Sequence, residues 1–152
     1  ENQTHIVLGK TPTIKNNDVT ILEQLYIRLF PNSMITILDS KESELMKIGV
    51  NTFYAIKIQY FNELYLLSNK LGISYENVKN TMLKNGWINP MHTMVPGTDG
   101  KLSYGGMCFP KDTNALNEYL KRKDLPHNII ESTIEEHKKI RNKPIDFNKY
   151  LE

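Results

Sequence analysis

The chain has 152 residues, of which 39% are hydrophobic and 24% are charged, as in an ordinary globular protein. Its net charge of +2 is too small to favour nucleic acid or an anionic membrane as a partner. No apolar run reaches the roughly 20 residues that a membrane-spanning helix needs. The single cysteine excludes an internal disulfide and fits a reducing compartment, so we expect a cytoplasmic protein.

The first part of the chain alternates between strand and helix patterns. Residues 5–8 form an apolar run that Gly9 ends, residues 18–30 carry apolar side chains at helical spacing, and residues 34–38 form a second apolar run. Two strands cannot be the whole of a parallel sheet whose two faces must be covered. We therefore interpret residues 1–39 as the C-terminal part of an incomplete α/β sheet domain.

The pattern beyond the second strand predicts one long helix. Asp39 and Glu42 have the spacing of a capping box, apolar residues recur every three or four positions as far as Leu71, and Gly72 suits the C-terminal end. The predicted helix has about 30 residues and a length near 45 Å. So long a helix commonly spans a domain or forms an interface, and we predict a homodimer through helix 40–71. Its apolar stripe consists of Met46, Val50, Phe53, Ile56, Tyr60, Leu64, Leu67 and Leu71.

A shorter helix and a long loop follow. Ser74 is placed to cap a helix that ends near Gly86. Residues 86–107 are rich in glycine and contain two prolines, so we expect no regular structure there, with Trp87 packed as an anchor of the loop. A loop of more than about 15 residues inside a compact domain is commonly functional. We therefore predict a catalytic loop over residues 86–112.

Two helices are predicted after this loop. One covers residues 110–122 with Pro110 at its first position, and the other covers residues 126–141. We assign residues 40–143 to one helical central domain and residues 144–152 to the start of a linker to a further domain. The predicted fold class is therefore mainly α, with a strand-helix-strand segment at the N-terminus. The last helix should expose a charged run of Glu135, Glu136, Lys138, Lys139 and Arg141.

The segment Gly105–Asp112, with the sequence GGMCFPKD, carries the densest chemical signal. Its two glycines let the backbone approach a ligand closely, and the only cysteine, Cys108, follows at the expected start of a helix, where partial positive charge favours a thiolate. Lys111 adds to that field, and Asp112 lies one turn after Cys108 on the same face. A thiolate beside a carboxylate suits covalent catalysis with activation of water. The alternative is a buried, inert cysteine above a capped helix.

Lys47 and Asn51 form a second signal, because four residues of helix place them on one face. An exposed pair of this kind is ordinary by itself. Residues 44–63, however, resemble the central helix of the UDP-glucose/GDP-mannose dehydrogenase family, which carries a Lys-x-x-x-Asn pair. Residues 104–112 resemble the Gly-Gly-x-Cys-Phe-Pro-Lys-Asp motif of that family at the right separation. Residues 5–38 resemble the last strand-helix-strand of its Rossmann-type, NAD-binding domain.

The resemblance implies an NAD-dependent nucleotide-sugar 6-dehydrogenase of the type that oxidises UDP-glucose to UDP-glucuronate in two hydride transfers. It implies that Cys108 forms a thiohemiacetal with the C6 aldehyde and then a thioester. It also implies that Lys47 and Asn51 stabilise the oxyanion at C6, and that Asp112 places or activates the hydrolytic water.

The resemblance further implies contacts to the substrate and the cofactor. Tyr104 and Gly105 match the loop that lies over the sugar, and Lys111 matches a position near the nicotinamide cofactor. His92 falls where many relatives have an arginine that reaches the substrate of the neighbouring subunit. A histidine is largely neutral at pH 7 and lacks the guanidinium fork, so either His92 contacts substrate in another way or it is a loop residue without that contact.

Two alternatives stay open. The enzyme could act on GDP-mannose or another nucleotide sugar, although Met107 argues against N-acetylated sugars, whose enzymes tend to have histidine there. The chain could instead be a non-catalytic dimerisation fragment. It contains no Gly-x-Gly-x-x-Gly fingerprint for a dinucleotide, so we expect the chain alone to be inactive. We predict no metal site, because no metal-ligand spacing links Cys108, His5, His92, His127 and His137.

Overall fold

The computed structural model describes residues 4–142, which form two strands and five helices. The predicted class, mainly α with an N-terminal strand-helix-strand segment, is confirmed. The chain forms two compact units, Glu1–Gly49 and Val50–Glu152. The predicted domain division after residue 39 remains a prediction, and the predicted linker lies outside the described residues. The elements in chain order are β1 (His5–Lys10), α1 (Asn16–Leu29), β2 (Met34–Asp39), α2 (Ser40–Lys70), α3 (Tyr75–Leu83), α4 (Cys108–Arg122) and α5 (Asn128–Ile140).

The first unit contains a parallel pair of strands joined through α1. Strand β1 pairs with β2 in a register that runs from His5 opposite Met34 to Lys10 opposite Asp39. The prediction that Gly9 ends the first strand is wrong, because the ladder continues through it to Lys10. This glycine instead allows a close approach, since a Cβ at that position would collide with the side chain of Ser43 on α2.

Helix α2 is 31 residues long, close to the predicted length. The backbone N–H of Asp39 donates to Glu42 Oε2 at 2.9 Å, as half of a capping box does. At the other end Gly72 has a φ of +66°, and the N–H of Ile73 donates to the carbonyl of Ser68 at 3.0 Å. These bonds satisfy backbone groups that a helix end otherwise leaves unpaired.

The two faces of α2 within the second unit differ in burial. The apolar stripe is largely exposed, with Phe53 at 60% and Leu67 at 52% exposure. The buried positions include polar residues, such as Gln59 at 3% and Asn62 at 1%. The helix therefore packs inside its own chain partly through hydrogen-bonding side chains. The helix also contributes Phe61 to a small apolar core, which includes Tyr75, Val95, Leu102 and Ile140.

The second unit corrects three details of the prediction. Helix α3 has the expected cap, in which Ser74 Oγ accepts from the N–H of Asn77 at 3.2 Å, but it ends at Leu83 rather than near residue 86. Helix α5 covers Asn128–Ile140, one to two residues shorter at each end than predicted. Trp87 is not a packing anchor, because it is 89% exposed. Residues 86–107 contain turns and bends without a helix or strand, as predicted.

Candidate functional site

The first turn of α4 presents the only cysteine to solvent. Gly106 has a φ of +74°, and this left-handed turn leads the chain directly into the helix. Cys108 is the first helical residue and is exposed. The helix therefore begins two residues before Pro110, which is tolerated because the N–H groups of a first turn have no intrahelical acceptor. A thiol at this position meets the positive end of the helix dipole.

One turn further along α4, the buried carboxylate of Asp112 contacts two other predicted site residues, Asn51 and Lys111. Asp112 is 3% exposed, and its Oδ2 accepts a hydrogen bond from Asn51 Nδ2 at 2.6 Å. Lys111 Nζ lies 3.3 Å from Asp112 Oδ1, while its own side chain remains 66% exposed. This cluster brings together Asn51 of α2 with Lys111 and Asp112 of α4. Asn51 and Asp112 are 61 positions apart in the sequence.

Lys47 belongs to the first compact unit. Its side chain lines a shallow cleft of about 300 Å³. It lies on α2 one helical turn before Asn51, the four-residue spacing on which its predicted pairing rests. The other residues that line this cleft are Val7, Ser43, Glu44 and Met46.

A larger cavity of about 400 Å³ in the second unit collects all three predicted substrate-binding residues, His92, Tyr104 and Gly105. Phe109, the residue after Cys108, also lines it, so the cavity wall continues into the first turn of α4. The remaining lining residues are Ile58, Met94, Gly97, Thr98, Asp99, Ser103, Gly106 and Arg141.

Tyr104 is held in the wall of this cavity by a ring on α5. It is 1% exposed and stacks on the imidazole of His137, with ring centroids 4.0 Å apart and planes 11° from parallel. Burial raises the pKa of Tyr104 to about 12, so its phenol stays protonated at neutral pH. Among residues 4–142 its hydroxyl has no hydrogen-bond partner. A buried polar group of this kind has bonding capacity that a polar ligand can use.

His92 lies in an aromatic cluster. Its ring centroid is 4.7 Å from that of Tyr54 and 5.5 Å from that of Phe109. Burial and then the positive charge of Lys57 lower the pKa of His92, so the imidazole is neutral at pH 7. The residue also has a φ of +66°, a conformation that the surrounding structure must impose on a non-glycine residue. A neutral ring in this setting cannot supply the positive charge of an arginine.

The sequence patterns did not predict a second polar cluster in the wall of this cavity, formed by Asp99, Ser103 and Arg141 together with His137, which contacts Ser103. The prediction that Arg141 belongs to a solvated charged face is wrong, because its side chain is only 13% exposed and pairs with Asp99. Ser103 Oγ lies 3.0 Å from His137 Nδ1. The available signal was the four-residue spacing of His137 and Arg141, which places both on one face of α5.

Comparison with known proteins identifies the class. The central-domain model of the UDP-glucose/GDP-mannose dehydrogenase family matches residues 41–138. The chain therefore belongs to this family. It is 33% identical over 120 residues to a UDP-glucose 6-dehydrogenase of Rickettsia bellii, covering 78% of this chain and 26% of that protein. It is 28% identical over 145 residues to the UDP-glucose 6-dehydrogenase TuaD of Bacillus subtilis, covering 95% of this chain and 29% of the relative.

The fold agrees with that membership. A solved UDP-glucose dehydrogenase from the archaeon Pyrobaculum islandicum superposes with a TM-score of 0.75 at 25% identity, covering 89% of this chain and 29% of that one. The chain thus spans about a quarter of the length of the curated relatives it matches.

Residues 4–142 also bear on membrane insertion and on metal binding. No helix there is long and apolar enough to cross a bilayer. Within residues 4–142, no group of three or more His, Cys, Asp or Glu side chains could hold a metal ion.

Proposed function

We propose that the full-length protein is an NAD-dependent nucleotide-sugar 6-dehydrogenase that oxidises UDP-glucose to UDP-glucuronate. The observation that carries this proposal is the arrangement around α4. An exposed thiol begins the helix, a buried carboxylate paired with Asn51 lies one turn later, and the residue after Cys108 lines a cavity. The names of the relatives support the same substrate.

The residues of this chain account for the covalent half of the reaction. The Cys108 thiolate adds to the C6 aldehyde, forming a C–S bond while the carbonyl electrons move to oxygen. Amide and ammonium donors of Asn51 and Lys47 stabilise that oxyanion. Loss of a hydride from C6 gives a thioester. Water positioned by Asp112 then attacks its carbonyl, the C–S bond breaks, and the carboxylate and free thiol form.

NAD, when bound, supplies the acceptor for the hydrides that leave C6. The residues present fit one part of such a cofactor, because Lys111 offers a largely exposed ammonium group beside the Asp112 carboxylate. That cation can contact an anionic or carbonyl group of the cofactor without losing its own partner. We expect the reaction in the cytoplasm, where a lone cysteine remains reduced.

We further propose that the protein forms a homodimer, with the apolar stripe of α2 as the interface. Phe53, Tyr60 and Leu67 are each about half exposed or more in the single chain. Aromatic side chains such as those of Phe53 and Tyr60 are enriched at the centre of protein interfaces. A symmetric pair of α2 helices would remove them from water.

A turnover assay with the full-length protein tests the activity. UDP-glucose and NAD should give two NADH per sugar, and the product should be the carboxylate rather than the aldehyde. GDP-mannose and UDP-N-acetylglucosamine serve as matched substrates. Preferred oxidation of GDP-mannose would replace the substrate in this proposal, and absence of turnover with every nucleotide sugar would refute the proposed function.

A further inference from the structure

Ser103 is fixed by bonds from two distant helices. It has a φ of +59°, which a serine adopts only where surrounding contacts over-determine it. Its N–H donates to Asn62 Oδ1 at 2.8 Å, and its hydroxyl donates to Gln59 Oε1 at 2.7 Å. Because a hydroxyl has one proton, the contact with His137 Nδ1 at 3.0 Å makes the imidazole the donor. Arg141 Nη1 donates to the Ser103 carbonyl at 3.2 Å.

Arg141 extends this attachment along the segment that forms the cavity wall. Its guanidinium forms an ion pair with Asp99 and donates to the carbonyl of Leu102 at 3.1 Å. Asp99 Oδ1 also accepts from the backbone N–H of Lys101 at 3.1 Å. The hydrogen bond from Arg141 is the largest cause that lowers the pKa of Asp99, so the pair is fully charged at neutral pH. The side chain of Arg141, the residue that follows the last residue of α5, therefore bonds to three residues in a stretch without regular structure.

Gly105 is adapted to the same side chain. A Cβ at this position would collide with the guanidinium of Arg141. A shift of the arginine would relieve the clash, and that shift would disturb its bonds to Asp99 and to the two carbonyls. Gly106, in contrast, has open space around it and is constrained by its φ of +74°. The two neighbouring glycines thus serve different purposes, close approach and a left-handed turn.

We propose that Arg141 is a positioning residue that fixes segment 97–106 as the wall of the nucleotide-sugar site. The assignment rests on the proposed function for the identity of the ligand. The bonds of Arg141 go to the wall, at Asp99, Leu102 and Ser103, so its loss should weaken substrate binding more than it slows the bond-making steps at Cys108.

Steady-state kinetics of the full-length protein give the first arm of the test. Arg141→Ala should raise the KM for UDP-glucose about tenfold, equivalent to about 1.4 kcal/mol, with kcat and the KM for NAD within about threefold of wild type. Arg141→Lys should fall between the two, because an ammonium can keep the Asp99 pair but not the bonds to both carbonyls. The matched control is Lys139→Ala, which removes an exposed cation on the same helix that pairs with Glu136 at 3.3 Å.

Limited proteolysis gives a second arm that does not depend on activity. Lys101 is exposed and lies inside the fixed segment, so trypsin cleavage after it reports local opening. Arg141→Ala should speed that cleavage at least about fivefold. Mass spectrometry of the fragments that end at Lys101 measures the rate. Gly105→Ala should speed it as well by displacing the guanidinium. In the Arg141→Ala background the same glycine substitution should add little, because the clash is gone.

The outcomes separate this inference from the proposed function. Unchanged cleavage at Lys101 in Arg141→Ala would overturn the positioning role, as would a loss confined to kcat or equal effects of Gly105→Ala in both backgrounds. If the wild-type protein oxidises no nucleotide sugar, the proposed function fails. The cleavage arm then decides alone whether Arg141 fixes the segment.

Discussion

Along helix α2 in the second unit, several polar side chains are buried, while much of the apolar stripe is exposed. Asn62 and Gln59 are almost completely buried, whereas Phe53 is 60% and Tyr60 49% exposed. A surface helix of a monomer normally has the opposite arrangement. The buried amides here are bonded to Ser103, in a segment whose backbone has no sheet or helix of its own. Helix α2 therefore holds Ser103 through buried amides and, as we propose, binds a second copy of the chain through its exposed apolar stripe.

The largest expected effect is a loss of kcat when the proposed nucleophile, Cys108, is replaced. In the full-length protein, Cys108→Ser should lower kcat at least about 10³-fold, roughly 4 kcal/mol, because a serine hydroxyl ionises far less readily than a thiol. Affinity for UDP-glucose should change less than about tenfold. The measurement is stopped-flow NADH formation together with mass spectrometry for a trapped adduct. Near-normal turnover would refute the role of Cys108 as the nucleophile. Lys139→Ala, which changes an exposed residue outside the motif, is the control and should leave kcat nearly unchanged.

A substitution in the exposed apolar stripe of α2 should weaken the proposed dimer. Phe53→Asp places a charge in the proposed interface, and we expect it to shift the protein from dimer to monomer by at least about 2 kcal/mol of association free energy. Sedimentation velocity at micromolar concentration measures the shift. Tyr119→Asp is the matched control, since Tyr119 on α4 is 58% exposed, close to the value for Phe53. Equal behaviour of the two variants, or a wild type that sediments as a monomer, would contradict the interface.

On the buried side, Asn62→Ala should lower stability rather than alter assembly. It removes the acceptor of the Ser103 N–H and leaves a buried donor unpaired, which costs about 1–3 kcal/mol. Urea unfolding with wild-type and variant protein measures the change. Asn80→Ala, at an exposed position of α3, is the control and should stay within about 0.5 kcal/mol of wild type. If both substitutions lower the free energy of unfolding equally, the hydrogen bond from Ser103 to Asn62 does not stabilise the fold.

The smallest expected effect is a pH dependence of stability that arises from His137, which contacts Ser103. Burial, followed by the charges of Arg141 and Lys138, lowers the pKa of His137 in the folded state. The unfolded chain therefore takes up the proton first. The stability that His137 contributes is complete above about pH 6.5, the unfolded value, and is lost as the pH falls toward the folded pKa. His137→Gln should flatten the decline of the urea midpoint between neutral and mildly acidic pH. His92, shifted in the same direction, should leave a residual slope. An unchanged slope would exclude His137 as its source.

The sequence alone was sufficient for the features that local chemistry controls. The bounds of α2 follow from the Asp39–Glu42 spacing and from Gly72, because caps and left-handed glycines act within a few residues. The GGMCFPKD segment likewise indicates a cysteine at a helix start, and the family motif extends this to a substrate loop. Cys108 and Asp112 are accordingly found on one helix, one turn apart.

The burial of α2 and the polar cluster in the cavity wall depend on tertiary packing. Periodicity identifies an apolar stripe but cannot tell whether it packs within the chain or remains exposed, as Phe53 does. The ion pair of Arg141 with Asp99 spans 42 positions, so no local pattern distinguishes this arginine from its solvated neighbours. Trp87 shows the converse error, since its hydrophobicity predicted packing, whereas its side chain is 89% exposed. Long-range contacts depend on how helices pack, and that is decided by the whole chain at once.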